Sequence, residues 1–169
     1  MKSGVYNIDF GRRFNDLLNS EGGEQKLNIA FQSAWNAYTY DNMDAFYIDI
    51  EKVILTTTTT SIGNISSHRV TLSNGDNESY LKPHFNSPEK ISQKLNLLEA
   101  MRKEIGRQLN GYSDYEKIRG VHNWLINNIE YDVDLEAEEP YSISGALTEG
   151  KAVCEGYARS FKYIMDELK

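Results

Sequence analysis

One cysteine among 169 residues, Cys154, excludes an internal disulfide framework and any multi-cysteine zinc site. That thiol is then either buried and inert or reactive, and a lone cysteine does not report the compartment. Long apolar runs are also missing. No stretch approaches the ~20 apolar residues that span a membrane, and the start, Met1-Lys2-Ser3-Gly4, leads into no apolar signal segment. The chain as given is expected to be soluble: extracellular or at the cell surface if a signal peptide was trimmed, otherwise cytoplasmic. Basic residues are in deficit, with Lys+Arg 18 against Asp+Glu 25 and a net charge of -7 spread along the chain. Such a field repels a phosphate track and excludes nucleic acid as a partner. No internal repeat is present, and no linker separates two complete domains.

A hydrophobic content of 40% is enough for a real core. Residues 1–23 are polar and read as an N-terminal arm, with at most a short helical stretch around Phe14, Leu17 and Leu18, closed by Glu21-Gly22-Gly23. From Glu24, Leu27, Ala30, Phe31, Ala34, Trp35 and Tyr38 recur at helical spacing and predict a helix to about Tyr40. Between Phe46 and Phe85 the runs Tyr47–Ile50, Val53–Thr60 and Arg69–Leu72, punctuated by Gly63-Asn64 and Asn74-Gly75, predict a small antiparallel β-meander, with the five threonines on a half-buried strand. Ser87-Pro88-Glu89 opens a helix whose face is Ile91, Leu95, Leu98, Met101, Ile105 and Leu109, and Asn110-Gly111 ends it. These elements make 24–110 one region. Ser113-Asp114-Tyr115-Glu116 has capping-box spacing and opens a second helix, expected to bury Ile118, Val121, His122, Leu125 and Ile129. An acidic loop, Asp132–Glu139, leads through Pro140 to a last helix from Cys154, expected to bury Tyr157, Ala158, Phe161, Ile164, Met165 and Leu168. The fold class is α+β, mainly helical.

A cysteine at a helix start faces the positive end of the dipole and unpaired backbone N–H groups, which favour thiolate and can hold an oxyanion. Gly150 and Gly156 would let a substrate backbone approach. Position alone nevertheless favours inert packing, because free cysteine is among the most buried residue types.

The segment GALTEGKAVCEGYARSFKYIMDEL resembles the nucleophile block of microbial members of the transglutaminase-like superfamily: a Gly-Ala-Leu turn, a Val-Cys pair, an acidic or amide residue, then Gly, Tyr and Ala before a Phe-containing helix. YEKIRGVHNWLINNIEYD resembles the helix leading into that block, so the likeness covers 115–169, and 24–110 are more weakly similar to the N-terminal region of bacterial members. The resemblance implies a papain-like core and a Cys-His-Asp triad in which a thiolate attacks a carboxamide and passes the acyl group to an amine or to water. Cys154 matches the nucleophile. The family's His and Asp lie a few dozen residues further on, on strands of a sheet. Residues 111–169 are therefore expected to be the N-terminal half of this core, without its C-terminal sheet, in a chain that is a fragment and inactive as given. A protein or peptide substrate follows from the resemblance, and no organic cofactor does.

Other residues keep two readings each. His122 reads first as a core histidine and only second as a base; His68 and His84 read as surface residues, and no spacing makes a metal site. Glu155 reads as a dipole-complementing carboxylate or a substrate-orienting one. Trp124 and Tyr131 read as core or as an aromatic wall beside the thiol. The loop Asp134–Glu139 reads as solvated surface or as the rim of a cleft preferring amine-bearing substrates. Against the enzyme stand a non-catalytic binding or surface module that keeps the fold, and a structural domain with Cys154 buried. If a missing sheet leaves Tyr157, Phe161, Ile164 or Met165 uncovered, self-association near the C-terminus is expected.

Overall fold

The computed structural model describes residues 6–169, so the first five residues of the expected arm lie outside the described residues. The architecture is α+β, with a small three-stranded antiparallel sheet. The chain divides into two compact units, one of residues up to Thr39 with Tyr47–Asn86 and one of Tyr40–Phe46 with Ser87–Lys169.

In the first unit, strands β1 (Asn7–Gly11), β2 (Ile54–Ile62) and β3 (Ile65–Ser73) form a sheet in the order β1-β3-β2. β2 and β3 pair in unbroken register from Ile54↔Ser73 to Ile62↔Ile65 around Gly63-Asn64, where Gly63 takes φ 59° as a two-residue hairpin turn requires. The third strand corrects the expected meander. It comes from the N-terminal arm, while Ile48 makes only an isolated bridge to Leu81 and Ile50–Lys52 forms a 3-10 turn. Two side-chain contacts accompany this arrangement: Asp49 accepts the Glu51 N–H and caps that turn, whereas Asp9 of β1 binds the Arg69 guanidinium across the sheet. Of the five threonines only Thr57 is half-buried; the others are exposed.

Val70 on β3 is fully buried and packs with Leu18 and Leu27, supported by Phe10, Phe14, Leu17 and Leu55. Leu18 ends the short helix α1 (Asn15–Leu18), and Leu27 lies on α2 (Gly23–Asp41). A Cβ at Gly23 would fall 2.1 Å from the Leu17 carbonyl oxygen, so α2 can begin this close to α1 only on glycine.

The second unit is built on α3 (Pro88–Gln108), α4 (Asp114–Asn128) and α5 (Cys154–Met165), with a two-residue parallel pair, β4 (Glu130–Tyr131) and β5 (Lys151–Ala152). The helix starts follow their caps. Ser87 Oγ accepts the Lys90 N–H at 3.2 Å, and Ser113 and Glu116 complete a reciprocal capping box. Leu98 and Ile105 of α3, Val121, Leu125 and Ile129 around α4, and Ile164 and Leu168 of the last segment are buried. His122 and Ile118 are exposed, against expectation, because α4 packs through the narrower stripe Val121-Leu125-Ile129. In α5, Ala158 is exposed while Gly156 and Ser160 are buried, Gly156 against the Pro140–Ser142 segment. Among the described residues no helix is long and apolar enough to cross a membrane.

Truncating the fully buried Leu98 to alanine should cost about 2–5 kcal/mol, whereas Ile65→Ala at the exposed hairpin tip should stay within about 0.5 kcal/mol. Denaturant titration of both variants checks this.

Candidate active site

Cys154 is the first residue of α5 and is exposed, so the buried, inert reading does not hold. Three contacts place it. The Glu130 N–H donates to the Gly150 carbonyl at 2.8 Å and the Asp132 N–H to the Ala152 carbonyl at 3.0 Å, which seats β5 on β4 directly after α4. Gly150, at φ 71°, turns the chain out of the π-helical turn Gly145–Glu149 and into β5. The Val153 N–H then donates to the Pro140 carbonyl at 3.0 Å, leaving Val153 extended as the N-cap. Among the described residues no side chain caps this helix, which leaves its first-turn N–H groups without a side-chain acceptor.

The glycines around the cysteine serve packing of the chain itself, which corrects the expectation that Gly156 makes room for substrate. A Cβ at Gly156 would lie 2.5 Å from the Pro140 oxygen, and one at Gly145 2.4 Å from the Glu139 oxygen. Segment 139–146 is internally tied: Ser142 N and Oγ both donate to the Glu139 carbonyl, and Ser144 N donates to Ser142 Oγ. α5 thus enters against a hydrogen-bonded strap, touching it through a residue without a side chain.

The acidic loop is ordered rather than merely solvated. Asp132 is buried and accepts the N–H groups of Glu136 and Ala137, both at 2.9 Å; these hydrogen bonds hold its carboxyl below the usual carboxylate range. Glu136 contacts Lys151 of β5, and the Glu138 N–H donates to Glu149, so the loop is fastened to the strand that delivers Cys154. Glu139 is buried, while Asp134 remains on the surface.

Tyr157, one turn into α5, donates its hydroxyl to the Ile129 carbonyl, and burial raises its pKa. Its ring stacks with Tyr131 at 6.2 Å, and Tyr131 is exposed, while Trp124 is half-buried. Glu155 pairs with Arg159 at 2.8 Å, and that guanidinium lies over the Tyr40 ring at 4.7 Å, so the residue after the cysteine is committed to its own helix. His122 Nδ1 meets the Asn123 side chain at 3.3 Å and is not a core residue. His68 contacts Thr59 and Asn19 in the sheet unit, and the His84 ring packs on Phe85 at 4.4 Å. Neither His68 nor His84 is fully on the surface; both are half-buried. Among the described residues no group of three or more His, Cys, Asp or Glu side chains is placed to hold a metal.

The sequence places Asp132 and Pro140 in the loop before the cysteine but not the contacts they make. Asp132 carried a signal, an acid followed by a short run of loop N–H groups; a carbonyl acceptor such as that of Pro140 carries none.

Fold and site together define an α+β domain that presents an exposed thiol at an uncapped helix start. Residues 103–166, from the last turns of α3 through α5, match the model of the transglutaminase-like superfamily, and this match supports the assignment of the chain to that superfamily. No curated protein matches the chain.

Because the folded-state pKa of Asp132 lies below its unfolded value, its contribution to stability is complete above the ordinary carboxylate range and is lost as pH falls through the lowered value. Asp132→Asn should therefore lower Tm at neutral pH, with the two melting curves converging in acid. Equal Tm values at neutral pH would contradict the role given to this carboxylate.

Proposed function

We propose that Cys154 is the nucleophile of a transglutaminase-like cysteine site acting on the carboxamides of a protein or peptide substrate. The observation that carries this is the exposed thiol on the first turn of an uncapped helix, inside the segment that matches the superfamily. The thiol gives up its proton and the thiolate attacks the amide carbon, a C–S bond forms, and the C–N bond breaks as that proton passes to the leaving amine. Water or a second amine then releases the acyl group from the thioester. The first-turn N–H groups of the uncapped helix would hold the oxyanion that forms on the way. Hydrolysis is the preferred outcome, since no group beside the thiol is set aside for an acceptor amine. In this reading α4, α5 and the β4–β5 pair are part of a papain-like core.

His122, the histidine of the same unit, is turned to Asn123 and not to the thiol. We therefore propose that these 169 residues alone do not turn over amides. The same observation favours the second reading, a binding or surface module that keeps the fold with Cys154 as a remnant.

Alkylation distinguishes the two. An activated Cys154 should react with iodoacetamide at neutral pH faster in the native protein than in the unfolded chain, and Cys154→Ser should abolish all labelling. A native rate equal to or below the unfolded one would remove the nucleophile and leave the module.

A further inference from the structure

On α5, Ile164 is buried and Tyr157, Phe161 and Met165 are half-buried, so none of the four is fully uncovered. A different surface has the properties of a self-association site. β2 is the edge of its sheet along all nine residues and, among the described residues, pairs with β3 alone. Edge strands are normally blunted by charge, proline, brevity or a bulge. The opposite edge, β1, is short, has a register irregularity between Asp9 and Gly11, and carries the Asp9–Arg69 ion pair. β2, Ile-Leu-Thr-Thr-Thr-Thr-Thr-Ser-Ile, has none of these devices.

The occupant can be read from symmetry and charge. Reversed, the β2 sequence is nearly itself: isoleucine at both ends and threonine on either side of Thr58. Two copies meeting antiparallel about a two-fold axis at Thr58 place Ile54 opposite Ile62, Thr56 opposite Thr60, and Thr57 opposite Thr59. The hydrogen-bond pattern permits this register. In a hairpin closed by the two residues Gly63-Asn64, Ile62 and Ile65 form a hydrogen-bonded pair, so the even-numbered residues of β2 direct their N–H and C=O groups to β3. The groups of Leu55, Thr57, Thr59 and Ser61 then point away from the sheet, and the Thr58-centred register pairs Leu55 with Ser61 and Thr57 with Thr59. Every outward backbone group between Leu55 and Ser61 is satisfied. The pairing also sets Ile62, 79% exposed, against Ile54, 38% exposed. Finally, two copies of a chain with net charge -7 repel, and β2 is a nine-residue edge without a charged side chain.

We propose that β2 is a homodimerisation edge, joining two sheets into one six-stranded sheet through an isologous Thr58-centred pairing of two copies of this chain. The contact is a single strand pair about 30 Å long, less than the ~1,200 Å² of a stable interface, so the dimer is weak and concentration-dependent.

Sedimentation velocity over a concentration series tests the edge and the register together. Wild-type protein should shift from monomer to dimer as concentration rises. Thr56→Glu combined with Thr60→Lys puts opposite charges across both symmetry-related pairs and should dimerise at least as well as wild type. Thr56→Glu combined with Thr60→Glu puts like charges there and should weaken the dimer by about tenfold or more. Both positions are exposed, and matching thermal unfolding of the two variants establishes that each is folded. A wild-type chain that stays monomeric throughout, or two charge variants that associate equally, would overturn the proposal.

Discussion

The approach of α5 to the Pro140–Ser142 strap is the constraint on which the site depends. The Pro140 carbonyl accepts the Val153 N–H at 3.0 Å, and the same oxygen lies where a Cβ of residue 156 would sit. One atom therefore fixes both the residue before the cysteine and the residue two beyond it. The hydrogen bond holds Val153 extended, which makes Cys154 the first helical residue. The glycine lets the helix axis lie close enough for that bond to form. Gly145 repeats the device on the other side of the strap, against the Glu139 carbonyl. Glycines that look like room for a ligand are here the places where backbone meets backbone.

Around this contact, the chain arranges its charges to hold the loop and not to line a cleft. Asp132 gathers two loop N–H groups, Lys151 draws Glu136 to β5, and Glu149 receives the Glu138 N–H. Glu155 is taken up by Arg159, itself stacked over Tyr40. These acidic residues thus have structural partners, which leaves the exposed sulfur as the chemically available side chain. Availability at a helix start is what nucleophilic cysteines share, and inert ones usually lack it by burial.

How far the molecule was legible varies with the range of the forces involved. The starts of α3 and α4 follow from Ser87-Pro88 and Ser113-x-x-Glu116, since caps act within one turn. The β2–β3 hairpin follows from two runs around Gly63-Asn64. β1 does not, because five residues with one apolar alternation gain their strand only from a partner some sixty residues away. The stripe on α4 was read too wide: His122 and Ile118 have helical spacing, but only Val121, Leu125 and Ile129 find something to pack against. On α5 the reverse occurred. Gly156 and Ser160 are buried for being small, which hydrophobic periodicity does not register. Cys154 starts α5 where the spacing places a helix start, yet its exposure is not decidable from position, and only the resemblance favours a reactive thiol.

The proposed reactivity of Cys154 depends on the Gly156–Pro140 contact, and the rate of iodoacetamide reaction in Gly156→Ala measures that dependence. A methyl group there must push α5 off the strap and disturb the helix start. The variant should keep its helical circular dichroism while its Cys154 reacts at the rate of the unfolded chain. A folded Gly156→Ala protein whose cysteine reacts as fast as wild type would contradict it.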